Sequence, residues 1–158
     1  MMTAEVDSSM RLQTDDVAAR TVLPGWHEVF AALCGRVGDE PGAHPVTRCA
    51  RRLAELHAAS QREPDMVGVH GVRMVLIASI DDWVAHHAPH AARCGESLGR
   101  AADRLAQTQQ EAVAALRNET DEECVHAVWH ALGLLATEWS DLVDEVMHGQ
   151  KRMRDSGH

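Results

Sequence analysis

The chain contains no tyrosine and a single phenylalanine, so aromatic residues make up only 3% of its 158 positions. A core must therefore be assembled from Leu, Val, Ala and Met, with four Trp as its large pieces, and that is a helical palette. No stretch alternates apolar and polar residues with period two, and no repeat of 20 to 50 residues is visible, which excludes a recognisable sheet or solenoid pattern. No run of 18 apolar residues exists, which excludes a membrane-spanning helix. The start MMTAEVDSSMRLQTDD is acidic and polar where a secretory signal needs a basic and then an apolar stretch, so a cytoplasmic protein is expected.

Lysine and asparagine each occur once, as Lys151 and Asn118, whereas Ala, Arg, Gly and Val abound. Such bias reflects a GC-rich bacterial genome and carries no chemistry. The formal net charge is −9, and no cluster of Lys or Arg interleaves with aromatics, which argues against nucleic acid as a partner. Four cysteines, Cys34, Cys49, Cys94 and Cys124, are scattered without a Cys-x-x-Cys pair. Neither a zinc site nor a disulfide framework is spelled out, and reduced, partly buried thiols are expected. A Gly-x-Ser-x-Gly elbow, a phosphate-binding glycine loop and an activated cysteine are all absent, so covalent catalysis has no support in the sequence.

What is present is helical periodicity. The length suits one domain, with residues 1–22 as a flexible N-terminal segment, 23–153 as a helical bundle and 154–158 as a flexible tail. After Pro24-Gly25, the spacing of Trp26, Val29, Phe30, Leu33 and Val37 predicts a short amphipathic helix. GDEPGAHP (38–45) predicts a loop, and a second helix runs from Pro45 until before Pro64 with Val46, Cys49, Leu53, Leu56, His57 and Ser60 on one face. A third is predicted from an N-cap at Asp65 to about His87, with Met66, Val69, Leu76, Ile77, Ile80 and Val84 as its apolar face. The fourth, Cys94 to Leu116, places Leu98, Leu105, Ala112 and Leu116 on one stripe and Glu96, Arg100, Asp103, Gln107 and Gln110 opposite. Thr120 and Glu123 spell a capping box for the longest helix, which buries Val125, Val128, Leu132, Leu135, Trp139, Val143 and Val146 before KRMRDSGH frays. The expected architecture is an all-α bundle of four long helices plus a short N-terminal one.

Two copies of Glu-x-x-His, Glu123 with His126 and Glu145 with His148, resemble half of a two-metal bundle site. On one uninterrupted helix the two glutamates lie roughly 33 Å apart, too far for one centre, and both pairs fall on the polar side. His126 and His130 share a helix face but lack a third ligand, and the HHAPH cluster of His86, His87 and His90 suits a helix C-terminus.

Polar residues that interrupt apolar faces are more informative. Arg73 lies between Val69 and Ile77 on the core stripe of the third helix, and His57 sits on the core side of the second beside Leu53. A buried guanidinium demands an inward carboxylate, from Asp81, Glu55, Glu96 or Asp103, or else an anionic ligand. The ordinary alternatives are a structural ion pair for Arg73 and a hydrogen-bonded core histidine for His57.

Several stretches together resemble an actinobacterial branch of the domain-of-unknown-function family numbered 4254: HPVTRCARRLAELH (44–57), VRMVLIASIDDWV (72–84), ESLGRAADRLA (96–106) and WHALGLLATEWSDLVDEVMHGQKRM (129–153). The resemblance implies a small, soluble, helical protein without an established biochemical role. The polar positions it carries over are His57, Arg73, Asp81, Glu96, Asp103, Arg104, Trp129, Asp141 and Glu145. The chain departs from the family pattern at Cys94-Gly95-Glu96, where relatives resemble His-Thr-Glu, and at Glu138-Trp139-Ser140-Asp141, where they resemble Gly-Tyr-Thr-Asp.

The resulting expectation is a small-molecule enzyme or ligand-binding protein of bacterial specialised metabolism. Its pocket would lie between helices, with His57, Arg73, Asp81, Glu96 and Asp103 performing cofactor-independent acid–base chemistry such as cyclisation, isomerisation or elimination. Two alternatives stand beside it. One is a helical interaction or self-association module, a homodimer among its forms, using Glu96, Arg100 and Asp103 or the last helix; the other is a haem- or metal-binding helical protein.

Overall fold

The computed structural model describes residues 22–88, 96–118 and 120–157, with the side chains of 150–154 left aside. The chain is an all-α bundle: α1 (Trp26–Leu33), α2 (Pro45–Arg62), α3 (Val69–His87), α4 (Leu98–Asn118) and α5 (Glu122–Ser156). Helix α4 packs against α2, α3 and α5; α1 lies on α2 and touches α5. No helix among the described residues is long and apolar enough to cross a membrane.

The central place of α4 follows from its small residues. Gly99, Ala101, Ala102, Ala106 and Ala112 are buried with Leu98 and Leu105, so neighbouring helices approach closely on more than one side. Gly99 shows how tight the approach is. A methyl group there would fall on the carbonyl oxygen of Ile77 in α3 and lie 2.9 Å from Ile77 Cγ2 and 3.0 Å from Asp81 Oδ1. The free N–H groups of this helix start are met by side chains: Asp81 Oδ1 accepts from Gly99 N at 2.9 Å, and Ser97 Oγ accepts from Arg100 N at 3.1 Å.

The core joins Val29 and Leu33 of α1, Val46, Ala50 and Leu53 of α2, Leu76, Ile77, Ile80 and Val84 of α3, and Leu132, Trp139 and Val146 of α5. Trp139 is the largest fully buried side chain, and its indole N–H donates to the carbonyl of Pro24 at 3.0 Å. That bond ties α5 to the segment that leads into α1.

Several boundaries differ from the periodicity. Helix α1 stops at Leu33, before Val37, because Gly35 adopts φ +77 and the amides of Gly35 and Arg36 turn back onto Ala32 O and Ala31 O. Helix α3 begins at Val69 instead of after Asp65, because Gly68 at its N-cap takes a left-handed conformation, φ +85. Cys94, the expected start of α4, lies outside the described residues, and the described helix begins at Leu98. At α5 it is Asp121 that caps, accepting from Glu123 N at 3.0 Å, since a carboxylate there also answers the helix dipole. Helix α5 runs through most of KRMRDSGH, to Ser156, rather than fraying ahead of it. Cys34 and Cys124 are exposed and Cys49 half-buried, and burial pushes the Cys49 thiol pKa up.

Two glycines give opposite predictions. Gly99→Ala should destabilise by about 1 to 3 kcal/mol, because the backbone of α3 must retreat. Gly133→Ala, inside α5 with nothing near its new methyl, should stabilise by about 0.5 to 1 kcal/mol. Urea unfolding of both variants checks the pair; equal effects would show that α3 and α4 are not packed as described.

Candidate functional site

Three helices converge on one carboxylate. Asp103, one turn beyond Gly99 on α4, has a side chain only 4% exposed. Its Oδ1 accepts from His57 Nε2 of α2 at 2.8 Å. Arg73 of α3 donates through Nε to both oxygens at 3.0 Å and through Nη2 to Oδ2 at 2.6 Å. The register explains the meeting. On antiparallel α3 and α4, the step from Gly99 to Asp103 on one matches the step from Ile77 to Arg73 on the other.

Burial pushes the Asp103 carboxyl pKa up, but the hydrogen bonds from His57 and Arg73, with the charge of Arg73, outweigh it and hold the group below the usual aspartate range. The hydrogen bond to Asp103 raises Arg73 in turn, against its own burial. A carboxylate acceptor requires the proton of a neutral His57 to sit on Nε2, which leaves Nδ1 with a lone pair and no partner among the described residues. Arg73 keeps Nη1 free of partners among them, and about a third of its side chain is exposed.

His57 and Arg73 form part of the lining of a cleft of about 430 Å³ that opens to solvent. Its other walls are Ser60 at the end of α2, Pro64, Met66 and Gly68 of the connection, Val69 and His70 of α3, and Gln107 of α4. The volume falls within the range of small-molecule sites, about 300 to 1,000 Å³.

Of the five expected site residues, His57, Arg73 and Asp103 are brought together and two are not. Asp81 accepts from the amide of Gly99, and Glu96 is exposed and ion-paired with Arg104, which also reaches Glu138 at 3.4 Å. Among the carboxylates proposed for Arg73, Glu55 is paired with Arg51 at 3.1 Å. The helical spacing alone places Asp103 on the solvent side of α4. It is buried because α4 packs on three neighbours, so the stripe of Glu96, Arg100 and Asp103 is not one exposed surface.

Ser60, His70 and Gln107 line the cleft without being among the expected site residues, although the same helical spacing reaches them: Ser60 follows His57 by three, His70 precedes Arg73 by three, and Gln107 follows Asp103 by four. Of the remaining family-like positions, Trp129 is half-buried, with no hydrogen-bond partner for its indole N–H among the described residues, while Asp141 and Glu145 are exposed.

Among the described residues, no three His, Cys, Asp or Glu side chains converge as a metal site. His86 and His87 direct Nδ1 to the carbonyls of Asp82 and Trp83 in their own helix, and His90 lies outside the described residues. Both Glu-x-x-His pairs lie on α5, and His148 likewise directs Nδ1 to Asp144 O. Comparison with protein-family models, curated proteins and solved structures yields no match for this chain.

The depressed Asp103 pKa fixes the sign of a pH effect. The unfolded carboxyl titrates near about 3.9, so the stabilisation is complete above that value and is lost as pH falls through the lower folded value. Asp103→Asn should cost about 2 to 3 kcal/mol at neutral pH, at or below the lower end of the range for a broken buried pair because Arg73 is partly solvated. Unfolding curves at pH 7 and pH 3 should show the gap between wild type and Asp103→Asn narrowing in acid; a constant gap would contradict the assignment.

Proposed function

We propose that the cleft binds a small organic anion or polar molecule and that His57 moves a proton on it, without a cofactor. The observation that carries this reading is the buried Asp103 carboxylate, shared by a histidine and an arginine that both line one cleft. Asp103 holds the tautomer in which Nδ1 of His57 can accept a proton, and the carboxylate stabilises the imidazolium that results. Arg73 spends one edge of its guanidinium on Asp103 and offers Nη1 to the ligand. With His57 neutral, the three groups sum to zero charge; an anionic ligand and a proton on His57 then compensate each other.

Met66, Val69 and Pro64 supply apolar wall against the ligand body, and Ser60 and Gln107 supply neutral hydrogen-bonding groups. Cyclisation, isomerisation and elimination are the reaction types that need one mobile proton and no external redox partner. We propose bacterial specialised metabolism as the setting of this chemistry, the GC-rich residue bias bearing on the bacterial source alone.

Thermal stabilisation by a panel of small carboxylates tests the binding half. Ligands that stabilise the wild type should bind Arg73→Lys at least about tenfold more weakly, since a lysine cannot serve Asp103 and the ligand as a planar fork. His57→Gln keeps an N–H for Asp103 but removes the base. It should retain binding and lose deuterium exchange from solvent into the bound ligand. Unchanged affinity in Arg73→Lys, or undiminished exchange in His57→Gln, would refute the site.

A further inference from the structure

Helix α3 is apolar on both sides. Leu76, Ile77, Ile80 and Val84 are buried, yet Val72, Met74 and Val75 are exposed, Val75 by 64%. The outward stripe reads Gly71, Val75, Ala78, Ser79 and Asp82, flanked by Val72 and Met74. Ser79 adds little polarity, because its hydroxyl donates to Val75 O at 2.8 Å. The other long helices present Arg52 and Glu55, Arg100 and Glu111, or Glu138 and Asp141 to solvent. On this face the first charge is Asp82.

The N-terminus of α3 has complementary character. Its N-cap is Gly68, no side chain caps it, and its first turn holds no acidic residue. No capping side chain and no carboxylate of the helix's own first turn answers the partial positive charge there.

We propose that a second copy of this chain covers the face, α3 packing antiparallel on its counterpart about a twofold axis between Val75 and Ala78. In that register Asp82 of one copy lies opposite Gly71 of the other, each about 8 Å along the helix from the axis. Each Asp82 then meets the other copy's uncapped first turn beside His70. A face that carries its acid at one end and its bare helix start at the other is self-complementary, as a twofold interface requires. Gly71, Ala78 and Ser79 let the two backbones come close, while Val72, Met74 and Val75 supply apolar contact. For chains of net charge −9, a strip with Asp82 as its first charge brings few like charges together. The two Asp82 side chains sit about 16 Å apart along the seam, beyond the roughly 8 Å Debye length of physiological salt.

Sedimentation equilibrium of the full chain over a concentration series tests the proposal. The mass should rise from 17.3 kDa toward twice that value. Val75→Arg and Asp82→Lys, each checked for unchanged helix content, should weaken association at least about tenfold. Leu134→Arg, a change at an exposed leucine on α5, should leave it unchanged. A monomer throughout, or a dimer indifferent to both α3 variants, overturns the proposal. A photo-crosslinking side chain at Met74, in an equal mixture of ¹⁴N and ¹⁵N chains, identifies what covers the face. Links between α3 segments of different copies support the proposal; links confined to residues 1–21 of the same copy overturn it.

Discussion

The bundle depends on how one buried carboxylate is satisfied. Asp103 sits among Ala102, Leu105 and Ala106, where an unpaired charge would cost several kcal/mol. Only helices that deliver donors from two sides make that position tolerable, and α2 and α3 do so with His57 and Arg73. Gly99 belongs to the same constraint. Its missing side chain lets α3 approach until Asp81 reaches the amide of Gly99, and one turn further on the same approach brings Arg73 onto Asp103. Two polar contacts one turn apart thus set the register of α3 against α4, which apolar packing alone leaves free to slide.

That register also makes the cleft. Continuing the ladder past Asp103, the next turn of α4 presents Gln107, and the next turn of α3 presents Val69 and His70. Just beyond them α3 ends, because Gly68 turns the chain away, and Pro64 and Met66 become wall instead of helix. Had α3 begun after Asp65, its first turn would occupy this volume. The ion pair satisfies Arg73 structurally, and a purely structural reading would stop there. The unpartnered Nη1 of Arg73 and Nδ1 of His57, on residues lining one recess, are what that reading leaves over.

Much of the fold was legible in the sequence because it rests on local periodicity. Four long helices and a short one follow from stripes such as Val46, Cys49 and Leu53 or Leu132, Trp139 and Val146, which need no knowledge of neighbours. Helix ends were less legible, since Gly35 and Gly68 act through left-handed conformations that a glycine permits without announcing. Within the site, His57 and Arg73 could be read as inward polar residues from the faces they interrupt. Their partner could not be chosen from four carboxylates, because that choice depends on the offset between helices. Asp103 in particular lies among Arg100, Arg104 and Gln107, and it reads as solvent-facing until α4 is known to be wrapped by α2, α3 and α5.

Helix α3 makes these contacts on one side only. Its inner face holds Arg73 and Asp81 in fixed register with α4, while its outer valines lie against water. Among the described residues, rotation of α3 about its axis is opposed by its inner contacts alone. A rotation of one residue, about 100°, would carry Arg73 away from Asp103 and leave a buried charge alone. Partial rotations lengthen the 2.6 Å contact first, because a bidentate fork tolerates little misalignment. Cover on the outer face therefore bears on the geometry of the cleft. A second copy packed over Val72 and Val75 would oppose a rotation that takes Arg73 from the carboxylate and leaves His57 as its one remaining donor among the described residues.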